Sequence, residues 1–354
     1  MLDIRNHGGI LGGNTKPKFL GYDYDVTFSG LIASFTNTIG EPVNHADIGN
    51  FIYIFGSAGL MCLTDTGTSL NYVFGKTYSV VTGVPSGTKE LRFFEQDTQG
   101  FLMVLSDAYN NRIYVITGNH DGTNIVCTTK LNYQCHSVVK VDSNTLLMVV
   151  NSTSAYFEYY NLSTKIFSPD ISFTGFSAGI FANNTSLIYG NTRYNFSTNV
   201  ANNSVTLVST VTLNNYNSAK IGFWSRQSPN KFKLSEDGKY LYLLSPNGQY
   251  FSSLNLDTNT YESFVSYSTS GTTSSANTQY NPVSILVKNN KVYTSSQGNI
   301  AVHSLTSEST IWEYYYYQTL ASYVSLFIPS SKDNTFYIVT NSGYYKIDVG
   351  VRKL

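Results

Sequence analysis

Short apolar runs recur along the chain at a nearly constant interval. "FIYIF" begins at Phe51, "FLMVL" at Phe101, "LLMVV" at Leu146, "SLIYG" at Ser186, "YLYLL" at Tyr240, "KVYTS" at Lys291 and "TFYIV" at Thr335, so that successive starts lie 40 to 54 residues apart. Each run is short and bounded by turn residues, which favours a strand over a helix. A unit repeated at about 40–50 residues is one supersecondary element that buries its faces against copies of itself, as a propeller blade does.

The flanks of these runs repeat as well. A strand and a turn precede the run, as in "FKLSEDGK", "SILVKNNK", "SLFIPSSKDN", "VVKVDSNT" and "FFEQDTQG". A turn and a third strand follow it, as in "SPNGQYFSSLNL", "SQGNIAVHSL", "NSGYYKIDV" and "NSTSAYFEYYNL". A fourth segment closes the unit, as in "TYESFVSY", "IWEYYYYQ" and "KIFSPDI". Asn, Asp and Gly at the turns supply positive φ or side-chain turn bonds. The unit is therefore a four-stranded antiparallel meander.

The patterning within strands separates a propeller from a sandwich. A half-exposed antiparallel strand alternates apolar and polar residues. "FLMVL", "LLMVV" and "YLYLL" do not, so both faces of these second strands are expected to be buried, as between two neighbouring blades. The outer strands "YFSSLNL" and "TYESFVSY" are more mixed. No stretch of a dozen residues carries a capped helical stripe. The fold class expected is all-β: a β-propeller, most simply of seven four-stranded blades at about 44–74, 91–128, 137–168, 176–207, 229–264, 282–317 and 323–349. The fourth unit matches least well, which leaves six or eight open. The last unit lacks a fourth strand, and "FLGYDYDVTFSGL" (Phe19 to Leu31) precedes the first complete one. Pairing the two would close the ring and hide both edges. The domain division expected is an extended N-terminal arm over 1–18 and a propeller over 19–354.

The unit "KLSEDGKYLYLLSPNGQYFSSLNLDTNT" resembles the loose blade pattern of seven-bladed propellers of the YVTN and WD40-like type. The period covers most of the chain, whereas the motif is good in this unit alone. WD dipeptides are absent, and Asp237-Gly238 lacks the spacing and the Trp of a sialidase-type Asp box. What the resemblance implies is a scaffold and not a reaction.

Charge narrows the class of function. Charged residues are 12% of the chain, about half the roughly 25% usual for soluble proteins. Lys+Arg and Asp+Glu balance at 22 each, so no basic footprint for nucleic acid is present. Polarity comes from Asn, Ser, Thr, Gly and 29 Tyr, a neutral hydrogen-bonding surface suited to a crowded assembly or a glycan. The opening "MLDIRNHGGILGGN" has no apolar signal-peptide core, and no run of 18 apolar residues suggests a membrane span.

Chemistry-bearing residues are sparse. The cysteines Cys62, Cys127 and Cys135 read as free thiols, an odd set unsuited to a disulfide framework. Cys127, Cys135 and His136 form the nearest thing to a metal cluster, without a CxxC pair or a fourth ligand. His120 reads as a turn residue in "TGNHDGTN", and His303 as a packed strand residue. No catalytic set, cofactor site or metal site is expected. An enzyme working in a central channel would need convergent carboxylates or histidines, and Glu95, Lys140 and Lys233 on the first strands read as scattered.

Two stretches stand out as partner sites. In "IWEYYYYQ", strict alternation puts Trp312, Tyr314 and Tyr316 on one face as an aromatic platform. In the arm, glycine pairs separate Leu2 and Ile4 from Ile10 and Leu11, which with Arg5 would anchor an extended peptide on a neighbouring subunit. This opening, charged "DIRNHGG" before a Gly-rich hinge and a β domain, resembles the starts of tailed-phage virion proteins over some 14 residues. The function expected is a non-enzymatic virion component, made in the host cytoplasm, whose partners are other virion proteins or copies of itself. A carbohydrate-binding propeller for host-surface attachment is the first alternative, and a propeller hydrolase or lyase the weaker one.

Overall fold

The structure, a computed structural model, describes residues 22–30, 42–48, 51–218, 232–266, 284–305, 310–317, 326–340 and 343–351, apart from 57, 68, 84–88, 152–154, 174–178, 236, 245–249, 289–290, 297–298 and 331–334. Among the described residues the strands fall into seven antiparallel sheets. After β1 (Tyr22–Gly30), the first sheet holds β2 (Pro42–Ile48), β3 (Phe51–Gly56), β4 (Gly59–Asp65) and β5 (Leu70–Thr77). A one-turn helix, α1 (Tyr78–Thr82), follows, with Thr77 as its N-cap and Gly83 at φ 69° ending it. The second sheet holds β6 (Lys89–Gln96), β7 (Gly100–Asp107), β8 (Arg112–Asn119) and β9 (Val126–Leu131). The third holds β10 (Gln134–Asp142), β11 (Thr145–Asn151), β12 (Ala155–Asn161) and the short β13 (Ile166–Phe167) and β14 (Ile171–Ser172), both paired with β12.

The fourth sheet is β15 (Ile180–Asn183), β16 (Ser186–Tyr189), β17 (Thr192–Asn199) and β18 (Ser204–Thr212). The fifth is β19 (Phe232–Leu234), β20 (Tyr240–Leu244), β21 (Tyr250–Asn255) and β22 (Thr260–Ser266). The sixth is β23 (Ser284–Lys288), β24 (Lys291–Ser296), β25 (Asn299–Leu305) and β26 (Thr310–Tyr317). The last contains β27 (Leu326–Pro329), β28 (Thr335–Thr340) and β29 (Gly343–Val351), with β1 added outside β29 in the order β1-β29-β28-β27. Tyr22 lies opposite Val351, and the register runs through to Gly30 opposite Tyr344. Even the fourth unit, the least regular in sequence, is a complete sheet.

The second strand of each sheet shows why these units stack. In β3, Tyr53 and Phe55 pack with Leu91, Phe101, Met103 and Tyr114 of the second sheet. Ile52 and Ile54, one residue out of phase, pack with Ile328 and Tyr337 of the last sheet. In β7, Met103 and Leu105 face the first sheet while Leu102 and Val104 meet Leu146, Met148 and Val150 of β11. In β11, Leu147 and Val149 turn the other way, to Phe181 and Leu187 of the fourth sheet. Ile180 and Ile188 of the fourth then join Leu241 and Leu243 of the fifth. Period-2 side-chain alternation thus feeds two different joints from one strand, which explains the absence of polar alternation. Each aliphatic side chain so buried contributes about 1.5–3 kcal/mol.

The first strands of the sheets neighbour one another: β2 lies against β6, β6 against β10, β10 against β15, β19 against β23, β23 against β27 and β27 against β2. Sheets joined face to face around their first strands define a β-propeller.

The turns account for much of the asparagine. Among the described residues, six of the seven non-glycine residues at positive φ are asparagine: Asn111, Asn124, Asn132, Asn203, Asn215 and Asn259. The turn between first and second strands repeats one device in four sheets. Asp97 accepts from Gln99 N at 2.7 Å, Asp142 from Asn144 N at 2.8 Å, Asn183 from Thr185 N at 2.9 Å and Asp237 from Lys239 N at 3.1 Å.

Candidate functional site

The arm residues Leu2, Ile4, Arg5, Ile10 and Leu11 lie outside the described residues. The aromatic strand β26 pairs with β25, and its register changes the reading of the platform. His303 lies opposite Trp312, Val302 opposite Tyr314 and Ile300 opposite Tyr316. Glu313 is an extra residue in that ladder, a β-bulge. Because Val302 and His303 are successive, Trp312 takes one register face while Tyr314 and Tyr316 take the other. The alternation that would align all three is interrupted at Glu313.

His120 is more than a turn residue. It is buried and stacks on Phe51, with ring centroids 4.1 Å apart. Its Nε2 is 2.7 Å from the Asp97 carbonyl oxygen, which only accepts, so the ring carries its proton there. Nδ1 is then the acceptor for the Tyr53 hydroxyl at 2.8 Å. Tyr53 is fully buried, and burial pushes its hydroxyl far above the ordinary range. The chain Tyr53–His120–Asp97 ties the first sheet to the second.

Two of the first-strand charges, read as scattered in the sequence, meet. Lys140 Nζ of β10 donates to Glu95 Oε2 of β6 at 2.6 Å. Both are partly exposed, so the pair contributes little to stability. Asp97 lies in the neighbouring turn, and the Gln99 and Gly100 backbone amides hold its carboxyl below the usual range. Lys233 sits on β19 of the fifth sheet.

A third group was not visible as a group in sequence. Glu158 of β12 is fully buried at the joint between the second and third sheets. Its Oε1 pairs with Lys130 of β9, while its Oε2 has no hydrogen-bond partner. Lys130 Nζ also lies 3.5 Å from Asp170 Oδ1 and 4.0 Å above the Tyr133 ring. Tyr133 donates its hydroxyl to Asp170 Oδ2 at 2.6 Å, and that bond together with burial pushes the hydroxyl up to about 12. Burial pushes the Glu158 carboxyl up to about 7 against the opposing pull of Lys130. The signal was present in "AYFEYYNL": a lone carboxylate among aromatics in a strand buried on both faces.

Other buried polar groups are engaged in the framework. Within the second sheet, Lys89 lies 3.9 Å from Asp107, its register partner on β7, with both side chains buried, and burial lowers the Lys89 pKa. Arg92 Nε donates to the Cys135 carbonyl at 2.9 Å, and Arg193 Nη1 to the Leu256 carbonyl at 2.6 Å. All three cysteines are free, Cys62 and Cys135 buried and Cys127 half-buried. Among the described residues, no three His, Cys, Asp or Glu side chains are grouped to hold a metal ion, and no helix is long and apolar enough to cross a membrane.

No family model and no curated protein sequence matches this chain. Solved structures do share its fold. The RRP9 WD40 repeats superpose with a TM-score of 0.54 at 7% identity, over 94% of this chain and 99% of theirs. A functionally unknown protein from Desulfotomaculum acetoxidans DSM 771 superposes with a TM-score of 0.51 at 12% identity, over 82% of this chain and 92% of its own. At such identities the likeness is one of fold, and the class of protein it defines is the β-propeller.

Proposed function

We propose that this protein is a non-enzymatic propeller that works as a structural component of a phage particle. The ring has seven blades, is closed by β1, and is held to its neighbours by the N-terminal arm. The blade count is supported by the seven sheets and by the contact of β27 with β2. Closure is supported by the β1–β29 pairing.

The observation that carries the interaction role is the rim of the fourth sheet. β18, "SVTLVSTVT", is its outermost strand and exposes Thr206, Leu207, Val208, Ser209 and Thr210 in succession. It contains no charged residue and no proline. Edge strands of freely diffusing proteins are usually guarded by lysine, proline or cover. An unguarded, β-branched edge suits a protein whose rim is occupied in an assembly.

The test is to sediment particles from cells that make the protein and to quantify the full chain and a chain lacking residues 1–18 in the pellet. The full chain is expected in the particle and the truncated chain in the supernatant. A full-length chain that stays free and monomeric overturns the reading.

One observation favours a glycan-binding role as the second reading. Tyr109 is 83% exposed at the β7–β8 turn, flanked by Asn110 and Asn111. An exposed ring beside amide groups is the arrangement that stacks a sugar and bonds its hydroxyls. Binding to a glycan array that is lost in Tyr109→Ala would favour this reading over the first.

A further inference from the structure

We propose that the joint between the second and third sheets is a proton-operated strut, closed while Glu158 holds a proton and loosened when it releases it. Charge balance carries the argument. Lys130 is one ammonium facing two carboxyls, Glu158 on β12 and Asp170 ahead of β14. With Glu158 neutral, Lys130 and Asp170 form a balanced pair, and Tyr133 Oη completes Asp170. With Glu158 ionised, the joint carries an excess negative charge in a side chain with no exposure to water. The orphaned Oε2 has no donor to receive that charge. Such a buried, unmatched charge is costly, and the structure relieves it by taking up a proton or by opening to water.

The surroundings offer little further compensation. From β9 and the following turn come Lys130 and Tyr133, and from β12 Tyr156 and Tyr160. From β10 comes the Cys135 thiol, whose own ionisation Glu158 disfavours. Arg92 of β6 is the other nearby cation, and it is committed to Glu90 and to the Cys135 carbonyl. The Phe167 ring, 5.5 Å from Lys130 Nζ, adds a further apolar neighbour to the cation.

The direction of the effect follows from the two protonation states. The Glu158 carboxyl titrates near 4.5 in an unfolded chain and near 7 in the folded joint. The stabilisation from its bound proton is therefore complete below about 4.5, declines as the pH rises, and is gone above about 7. The joint weakens across the range between mildly acidic and neutral conditions.

Hydrogen exchange of the full chain, corrected for the intrinsic pH dependence of exchange, tests this between pH 5 and pH 8. Opening of β9 and β12 is expected to rise by at least about tenfold across the window in the wild type. It should be flat in Glu158→Gln, while β3 and β4 of the first sheet respond equally in both. Infrared spectra should show a protonated carboxyl band at mildly acidic pH that Glu158→Gln lacks. Lys130→Met removes the cation that favours the ionised form and should move the window upward. A wild-type profile retained in Glu158→Gln, a Glu158 band that titrates with the exposed carboxylates, or a window unmoved by Lys130→Met would each overturn the proposal.

Discussion

The Tyr337 hydroxyl donates to Asp65 Oδ1 at 2.7 Å, joining residues 272 positions apart. Asp65 Oδ2 accepts from Ser330 Oγ at 2.8 Å, and Oδ1 also accepts from Gly67 N at 2.7 Å. All of this is buried at the seam where the last sheet meets the first, beside Ile52, Ile54 and Ile328. A hydrogen bond to a buried carboxylate is worth about 1.5–3 kcal/mol. Tyr337→Phe keeps the ring and removes the bond. It is expected to lower the unfolding free energy by about that amount in urea titration, without changing the far-UV circular dichroism.

The Tyr53–His120 bond offers a cleaner measurement of one joint. His120→Ala removes the stack on Phe51 and leaves the buried Tyr53 hydroxyl with the Cys62 thiol, a weak partner, in place of the imidazole. A buried donor that loses its strong acceptor costs about 1–3 kcal/mol beyond the lost packing. Tyr53→Phe in the same chain removes that donor. The double variant should therefore be less destabilised than the sum of the singles, by about 1 kcal/mol in a denaturation cycle. Additive losses would mean that the two side chains do not share this bond.

How much of this was legible before the fold was known depends on the range of the interaction. The repeat was legible because each blade is local: four strands and three turns fit within one period, and the Asx turns at Asp97, Asp142 and Asp237 mark it. The pairing of Tyr22–Gly30 with Gly343–Val351 was legible by elimination, since the last unit lacked a strand. What the sequence concealed lies at the joints between sheets. Glu95 and Lys140 are 45 residues apart and look isolated, yet one period places them on adjoining first strands. His120 looks like a loop residue because nothing local shows Phe51 beneath it. In "IWEYYYYQ", alternation predicts a face until the extra Glu313 shifts the register, and one glutamate among five aromatic residues does not by itself mark a bulge. The unguarded edge of β18 was concealed differently: an outer strand and an inner one are both β-branched, and the position in the sheet decides which meets water.

The cysteines should behave as framework residues. Burial pushes the Cys62 and Cys135 thiols up to about 12 and raises Cys127 as well. The thiolate is the reactive species, so each has little of it at neutral pH. Native protein treated with iodoacetamide is expected to label slowly at half-buried Cys127 and negligibly at the other two, with all three labelled in denaturant. Mass spectrometry of the digested protein reads each site. Rapid labelling of Cys62 or Cys135 in the native state would show that its joint opens far more often than the packing implies.

The two ends of the N-terminal region should separate fold from assembly. Removing residues 1–31 deletes β1 and uncovers β29 along its whole outer edge, from Tyr344 to Val351. An uncovered strand of that length is a template for pairing with another chain. This truncation is expected to lower the melting temperature and to form concentration-dependent aggregates by light scattering. Removing only residues 1–18 leaves β1 in place, so the melt should match that of the full chain. If the arm anchors the propeller to its neighbours, the shorter truncation should fail to enter particles while remaining folded. Each aliphatic anchor that docks is worth about 1.5–3 kcal/mol, so losing several shifts occupancy by orders of magnitude. A shorter truncation with full occupancy and an unchanged melt would remove the arm from the mechanism. A longer truncation that melts cooperatively and stays monomeric would show that the ring does not depend on β1 for closure.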